Sequence, residues 1–257
     1  TGLHMETYLT LNKFNGGGYT TLTSTGTMTL CFWVKHNDDF TASDIRYALV
    51  LNNGPGAESV VVRFESNKLV MIIAGSSSGT DRIYQVDHTP ATGAFIHYII
   101  SIDTANIEND PSVYINGQLQ SYSFKVGTKT GPINGFTGIG VLGQAYKETS
   151  GKQLQGSMKE LAILNFSPNS SQINELLTKT DLRETSFASN IINYWRLGLE
   201  STLFSFSDNQ LIENNPEIKS IIGSITFSVK SNVFISTNLN KSIIYNHINY
   251  GHGMLKD

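Results

Sequence analysis

The side chains of this sequence that could do acid–base work are spaced in a way that argues against catalysis. A carboxylate pair able to hydrolyse a glycosidic bond stands about 5 to 9.5 Å apart, which on one strand means Glu or Asp at alternate positions of one face. Glu65, Asp103, Glu160 and Asp208 are instead widely separated in the chain, so no local pattern pairs them. The histidines are scattered too, and no Ser-His-acid arrangement is marked. His97 alternates with apolar neighbours, as a hydrogen-bonded core residue does. His247 and His252, beside Tyr245 and Tyr250, have a spacing open to a metal or a subunit contact, and are read here as part of a terminal arm.

Recognition chemistry fits the sequence better. A saccharide asks for an aromatic face against its C–H surface and a few planar hydrogen-bonding groups around it. Tyr84, Asp87 and His88, with Asn52 and Asn53, supply that mixture in loops, and Tyr146 with Lys147 forms a second such set.

The elements that must position these residues are strands. In Phe95–Asp103, Ile96, Tyr98, Ile100 and Ile102 alternate with Phe95, His97, Ile99 and Ser101, giving one wholly apolar face. Asn116-Gly117 then supplies two residues that reach positive φ cheaply, so Val113–Ile115 should fold back in a tight hairpin. Thr27–Lys35 sets Met28, Leu30, Phe32 and Val34 against Cys31 and Trp33 on the other face. Tyr47–Leu51 and Val60–Phe64 form a strand pair, followed by a turn at Asn67, Lys68–Ile73 and Arg82–Val86. Cap residues from Ser167 to Ser171, with Ile173, Leu176 and Leu177 at helical spacing, predict one short helix near 171–178.

The pattern is that of an all-β, antiparallel two-sheet sandwich. Its composition agrees: 257 residues, 39% hydrophobic and only 15% charged, with 23 glycines. A net charge of −3, without clustered Lys or Arg, makes nucleic acid a poor partner, and no apolar run reaches the roughly 18 residues of a membrane span. The single Cys31 lies in an apolar run and is expected to be buried. The first five residues, Thr1 to Met5, do not read as a secretion signal.

An apolar strand ending in Asp103, followed by Val113-Tyr-Ile-Asn-Gly-Gln-Leu119, resembles the centre of a laminin G-like jelly roll of the concanavalin A-like lectin superfamily. Thr27–Lys35 is similar to that family's early Thr-Ile-Ser-Phe-Trp-Val-Lys strand, and Gly156–Leu164 to its Gly-x-Ile-Asp-Glu-Val-x-Ile strand. Asn193–Leu197 and Phe204–Asp208 resemble its closing segment, so residues 1–208 are expected to form the sandwich and 209–257 its closing strands and a C-terminal arm. The resemblance also implies a calcium ion at the rim of the sandwich, with Asp103, Asp110 or Asp208 as oxygen ligands. Lys159 stands where the family tends to have Asp, and if that Asp helps to hold the cation in relatives, this chain has lost a ligand.

Glycosidases of this superfamily carry Glu-x-Asp-x-x-Glu, which is absent here, so the chain is expected not to be an enzyme. The expected function is non-catalytic recognition of a glycan or a neighbouring protein on a virion surface, as a bacteriophage fibre or head-decoration subunit. Such a subunit would form a homo-oligomer, with a trimer favoured. The competing placement is extracellular, as a secreted carbohydrate-binding module or adhesin domain of a larger bacterial protein.

Overall fold

The computed structural model describes residues 26–36, 45–52, 58–133, 140–143, 152 and 154–195, together with strands at 2–5, 8–11, 217–219, 226–230 and 233–236. These strands build two antiparallel sheets. Sheet A runs in the order β10 (Gln118–Leu119), β9 (Ser112–Ile115), β8 (Phe95–Asp103), β3 (Thr27–His36), β13 (Gly156–Leu164), β1 (Gly2–Met5) and β17 (Val233–Ser236). The far half of the β13 edge pairs instead with β14 (Ile191–Trp195). Sheet B runs β11 (Phe124–Val126), β7 (Arg82–Asp87), β6 (Lys68–Ile73), β5 (Glu58–Glu65), β4 (Ile45–Asn52), β12 (Gly140–Leu142), β2 (Tyr8–Leu11), β16 (Thr226–Lys230) and β15 (Glu217–Lys219). Strands from beyond residue 208 therefore contribute to both sheets.

The core forms where the alternation predicts it. Met28, Leu30, Phe32 and Val34 of β3 and Tyr98, Ile100 and Ile102 of β8 face Leu49, Val62, Phe64, Leu69, Met71 and Val86 of sheet B, all at 0 to 1% exposure. Tyr98 ties the layers together, its ring 5.5 Å from Phe32 in its own sheet and 5.3 Å from Phe64 in the other. Burying each such ring contributes about 2 to 3 kcal/mol. The Asn116-Gly117 turn has φ of 47° and 78°, the two left-handed residues that a type I′ hairpin requires.

Part of the outer face of sheet A is apolar. Cys31, Ile99, Ala162 and Leu164 lie beneath Ile173 and Leu176 of helix α1 (Ser170–Thr178) and beneath Leu182 and Phe187. The helix begins one residue earlier than its apolar spacing predicts, because Asn169 and Gln172 form a reciprocal capping box, with N–H···O distances of 3.1 and 2.9 Å. The β13 register shifts between Lys159 and Ala162, where Glu160 takes φ of 54°: a bulge that re-aims two neighbouring side chains.

A candidate polar cleft at the sandwich rim

Strand β7 explains why the recognition residues grouped by sequence do not meet. Successive side chains alternate across the sheet, so Tyr84 turns into the sandwich while Asp87 points out. Tyr84 is 2% exposed, and its hydroxyl donates to the Ile107 carbonyl at 3.3 Å. It cannot offer a face to a sugar, which corrects the expectation that it stacks on one. Burial raises its hydroxyl pKa, only partly countered by Arg82 nearby. Asp87, about 10 Å further along the strand, stands 3.8 Å from Lys68 Nζ. His88 turns inward, its Nε2 2.7 Å from the Tyr98 hydroxyl, and desolvation lowers its pKa to about 4. Of the other expected ligand residues, Asn52 is described only as backbone in β4, while Asn53, Tyr146 and Lys147 lie outside the described residues.

What the structure does bring together is a cleft of roughly 530 Å³ between the β7–β11 edge and the loop after β8. Its lining includes Arg82, Tyr84, Glu108, Asn109, Asp110 and Lys125. Lys125 is the cross-strand partner of Tyr84 and reaches Asp110 at 2.6 Å. Arg82 approaches Glu108 at 3.8 Å while its Nε donates to the Lys129 carbonyl at 2.8 Å. The Tyr122 ring lies 5.2 Å from that of Tyr84, and its hydroxyl donates to the Pro111 carbonyl, so two aromatics seal the cleft from the core. Phe124 and Val126 flank Lys125 on the edge strand at 45% and 51% exposure. Gly127 closes the wall: at φ of 129°, a Cβ there would lie 2.5 Å from both the Arg82 Cα and the Asp81 carbonyl oxygen.

Asp103 organises this loop rather than a metal. Its Oδ1 accepts the Ala105 and Asn106 amides, both at 2.9 Å, and its Oδ2 accepts the Asn109 side-chain amide at 2.7 Å. Partial burial pushes its pKa up, but these hydrogen bonds, led by that from Asn109, outweigh it and hold the carboxyl below the ordinary range. With Asp103 engaged by N–H donors and Asp110 by an ammonium, the pair does not fit a divalent cation. Among the described residues no group of three or more His, Cys, Asp or Glu is gathered. Asp208 lies outside them.

The reading of His97 and Cys31 as core residues matches their geometry. His97 Nε2 lies 3.0 Å from Cys31 Sγ, both at 0 to 1% exposure. Burial drives the thiol pKa far upward and that of the imidazole down to about 3, so neither is poised for nucleophilic chemistry. Gly75-Ser-Ser-Ser-Gly79 has the spacing of a serine-nucleophile elbow, but it joins two antiparallel strands rather than a strand to a helix. Ser77 Oγ accepts the Thr130 amide at 2.7 Å there, a loop contact. No helix of the described residues is long and apolar enough to cross a membrane.

Arg82, Glu108, Asn109 and Lys125 escaped the reading from sequence. They come from a strand start, a loop and an edge strand 43 residues away from the first, joined by the β7–β11 pairing and the fold-back of the loop after β8.

Known structures share this architecture at low identity. A Bacteroides ovatus protein proposed to bind carbohydrate superposes with a TM-score of 0.58 at 15% identity, covering 92% of this chain. The chain spans 59% of that protein's length. A heptameric SAP-like pentraxin from Limulus polyphemus gives a TM-score of 0.47 at 13% identity, over 68% of this chain and 77% of its own. No curated protein sequence matches the chain. A family model for the concanavalin A-like lectin/glucanases superfamily matches residues 6–174, and the chain, with its two antiparallel sheets, belongs to that superfamily.

Proposed function

We propose that the protein is a non-catalytic glycan-recognition module whose rim cleft binds a saccharide through Asn109, Glu108, Asp110, Lys125 and Arg82. The observation that carries this reading is the pairing of charges in the cleft: Lys125 with Asp110 and Arg82 with Glu108. Groups neutralised in this way present donors and acceptors without a strong field, which suits the hydroxyls of an uncharged sugar. The same pairing leaves neither carboxylate free as an acid or base. Asp103 holds Asn109 in place, so binding needs no cation. The Bacteroides ovatus protein with the same fold supports the reading by analogy.

The test is a glycan array with the purified protein in chelating buffer, repeated with Asn109→Ala and Lys125→Ala. A neutral glycan bound by the parent chain and lost in both variants is the expected result. Release of reducing sugar from the bound glycan would overturn the non-catalytic reading. The further placement, as a homo-oligomer on a virion surface, rests on composition and the lectin-like fold. Light scattering tests the first part, with a stable oligomer expected, and peptide mass fingerprinting of purified particles tests the second.

A further inference from the structure

Beyond the residues that lie beneath α1, the outer face of sheet A carries a different chemistry. Trp33 pairs across the ladder with His97 on one side and Lys159 on the other, and Lys35 pairs with Phe95, so adjacent rows of three strands bring two aromatics and two lysines together. Lys159 Nζ lies 5.1 Å from the Trp33 ring centroid and 4.5 Å from that of Phe95. Lys35 Nζ lies 5.6 Å from the Phe95 centroid. All four residues are of intermediate exposure, so each keeps part of its surface in solvent. Beneath them the fully buried His97 ring packs 4.5 Å from Trp33, and its Nδ1 has no hydrogen-bond partner.

Two ammonium groups sharing one phenyl ring repel each other, and a cation–π contact at an exposed site returns only about 0.5 to 1 kcal/mol. Three other lysines of the protein do sit against a carboxylate: Lys68, Lys125 and Lys129 lie at 3.8, 2.6 and 2.6 Å from Asp87, Asp110 and Asp81. Lys35 and Lys159 have no ion pair among the described residues. The adjacent carboxylate, Glu160, is turned by the bulge toward the Tyr194 hydroxyl, which it accepts.

We propose that this patch is a second binding site, for an acidic saccharide residue. Its carboxylate or sulfate sits between the ammonium groups of Lys35 and Lys159, and its sugar ring lies on Trp33 and Phe95. The long lysine side chains swing onto the anion and uncover the aromatic faces on which a C–H surface packs. The word saccharide rests on the proposed function above; the demand for an anion does not, because it follows from the two lysines alone.

The experiment uses the full chain carrying Trp195→Phe, which leaves Trp33 as its one tryptophan. Its emission is titrated with oligogalacturonate for the carboxylate arm, a heparin oligosaccharide for the sulfate arm, maltohexaose as a neutral sugar and sodium sulfate as a bare anion. One or both acidic oligosaccharides should shift Trp33 emission with saturation, and Lys35→Met and Lys159→Met should each weaken that binding about tenfold while keeping the packing of the side-chain stems. Lys125→Ala should leave it unchanged, which separates this site from the cleft. Equal response to maltohexaose, equal response to sodium sulfate at matched anion concentration, or acidic binding indifferent to both lysine variants would each overturn the proposal. Failure of the cleft variants on neutral glycans, with this titration intact, would fault the rim reading alone.

Discussion

The rim cleft and the outer face of sheet A treat charge in opposite ways. In the cleft each cation has an acid within 4 Å, Lys125 with Asp110 and Arg82 with Glu108. On the outer face Lys35 and Lys159 meet aromatic rings instead. A neutralised site recognises by hydrogen-bond geometry and responds little to salt, whereas two unneutralised lysines give a field that ions screen, with a Debye length of about 10 Å at 0.1 M. If both sites bind as proposed, the same scaffold offers two kinds of specificity on two surfaces, and each can be broken alone.

The largest separation should come from Gly127→Val. Its Cβ would meet the Arg82 backbone and its φ of 129° is strained for valine, so a loss of about 3 kcal/mol in urea unfolding is expected, with the cleft distorted and Trp33 titration kept. Acid is the next lever. Burial lowers the pKa of His36 and His97 to about 3 and of His88 to about 4, so the folded chain refuses protons that the unfolded chain accepts near 6.5. Stability is therefore full above pH 6.5 and falls as pH drops below it, by up to about 1.4 kcal/mol per pH unit for each histidine, read as a falling urea midpoint between pH 7 and pH 5.

Raising salt from about 0.01 to about 1 M, where the Debye length shrinks from about 30 to about 3 Å, should weaken acidic-saccharide binding at least tenfold and neutral-glycan binding less than twofold. Equal loss at both sites would erase the contrast. Asp103→Ala removes three hydrogen bonds to a carboxylate on a partly exposed loop, and about 1 to 2 kcal/mol of stability should go with them. Because hydrogen bonds depress the Asp103 pKa, its contribution is present above the ordinary carboxylate pKa and is lost as pH falls through the lowered one. The smallest effect belongs to Asp110→Asn, whose exposed pair with Lys125 should be worth under about 1 kcal/mol, while neutral-glycan affinity drops more visibly.

The fold was largely legible because alternation is a local property: Met28 to Val34 and Ile96 to Ile102 announce their buried faces residue by residue, and Asn116-Gly117 names its turn. The site was legible only in part. The resemblance offers Asp103 and Asp110 as rim ligands of a cation, but whether a carboxylate receives a metal, an amide or an ammonium depends on Asn109 and Lys125, which fold back onto them. Tyr84, Asp87 and His88 were grouped because they are adjacent in sequence, and strand alternation then separated them. The lysine pair on the outer face was half visible: Lys159 stood out as a departure from its family, yet its meeting with Phe95 requires the β8–β3–β13 register.

The measurement that bears most directly on the central claim is calorimetric titration of the best array glycan into the parent chain and Asn109→Ala, both in EDTA. A saturable, cation-independent interaction in the parent, reduced at least tenfold by losing one amide at the cleft, is the predicted result. Equal binding by the variant, or binding that vanishes when calcium is chelated, would contradict it.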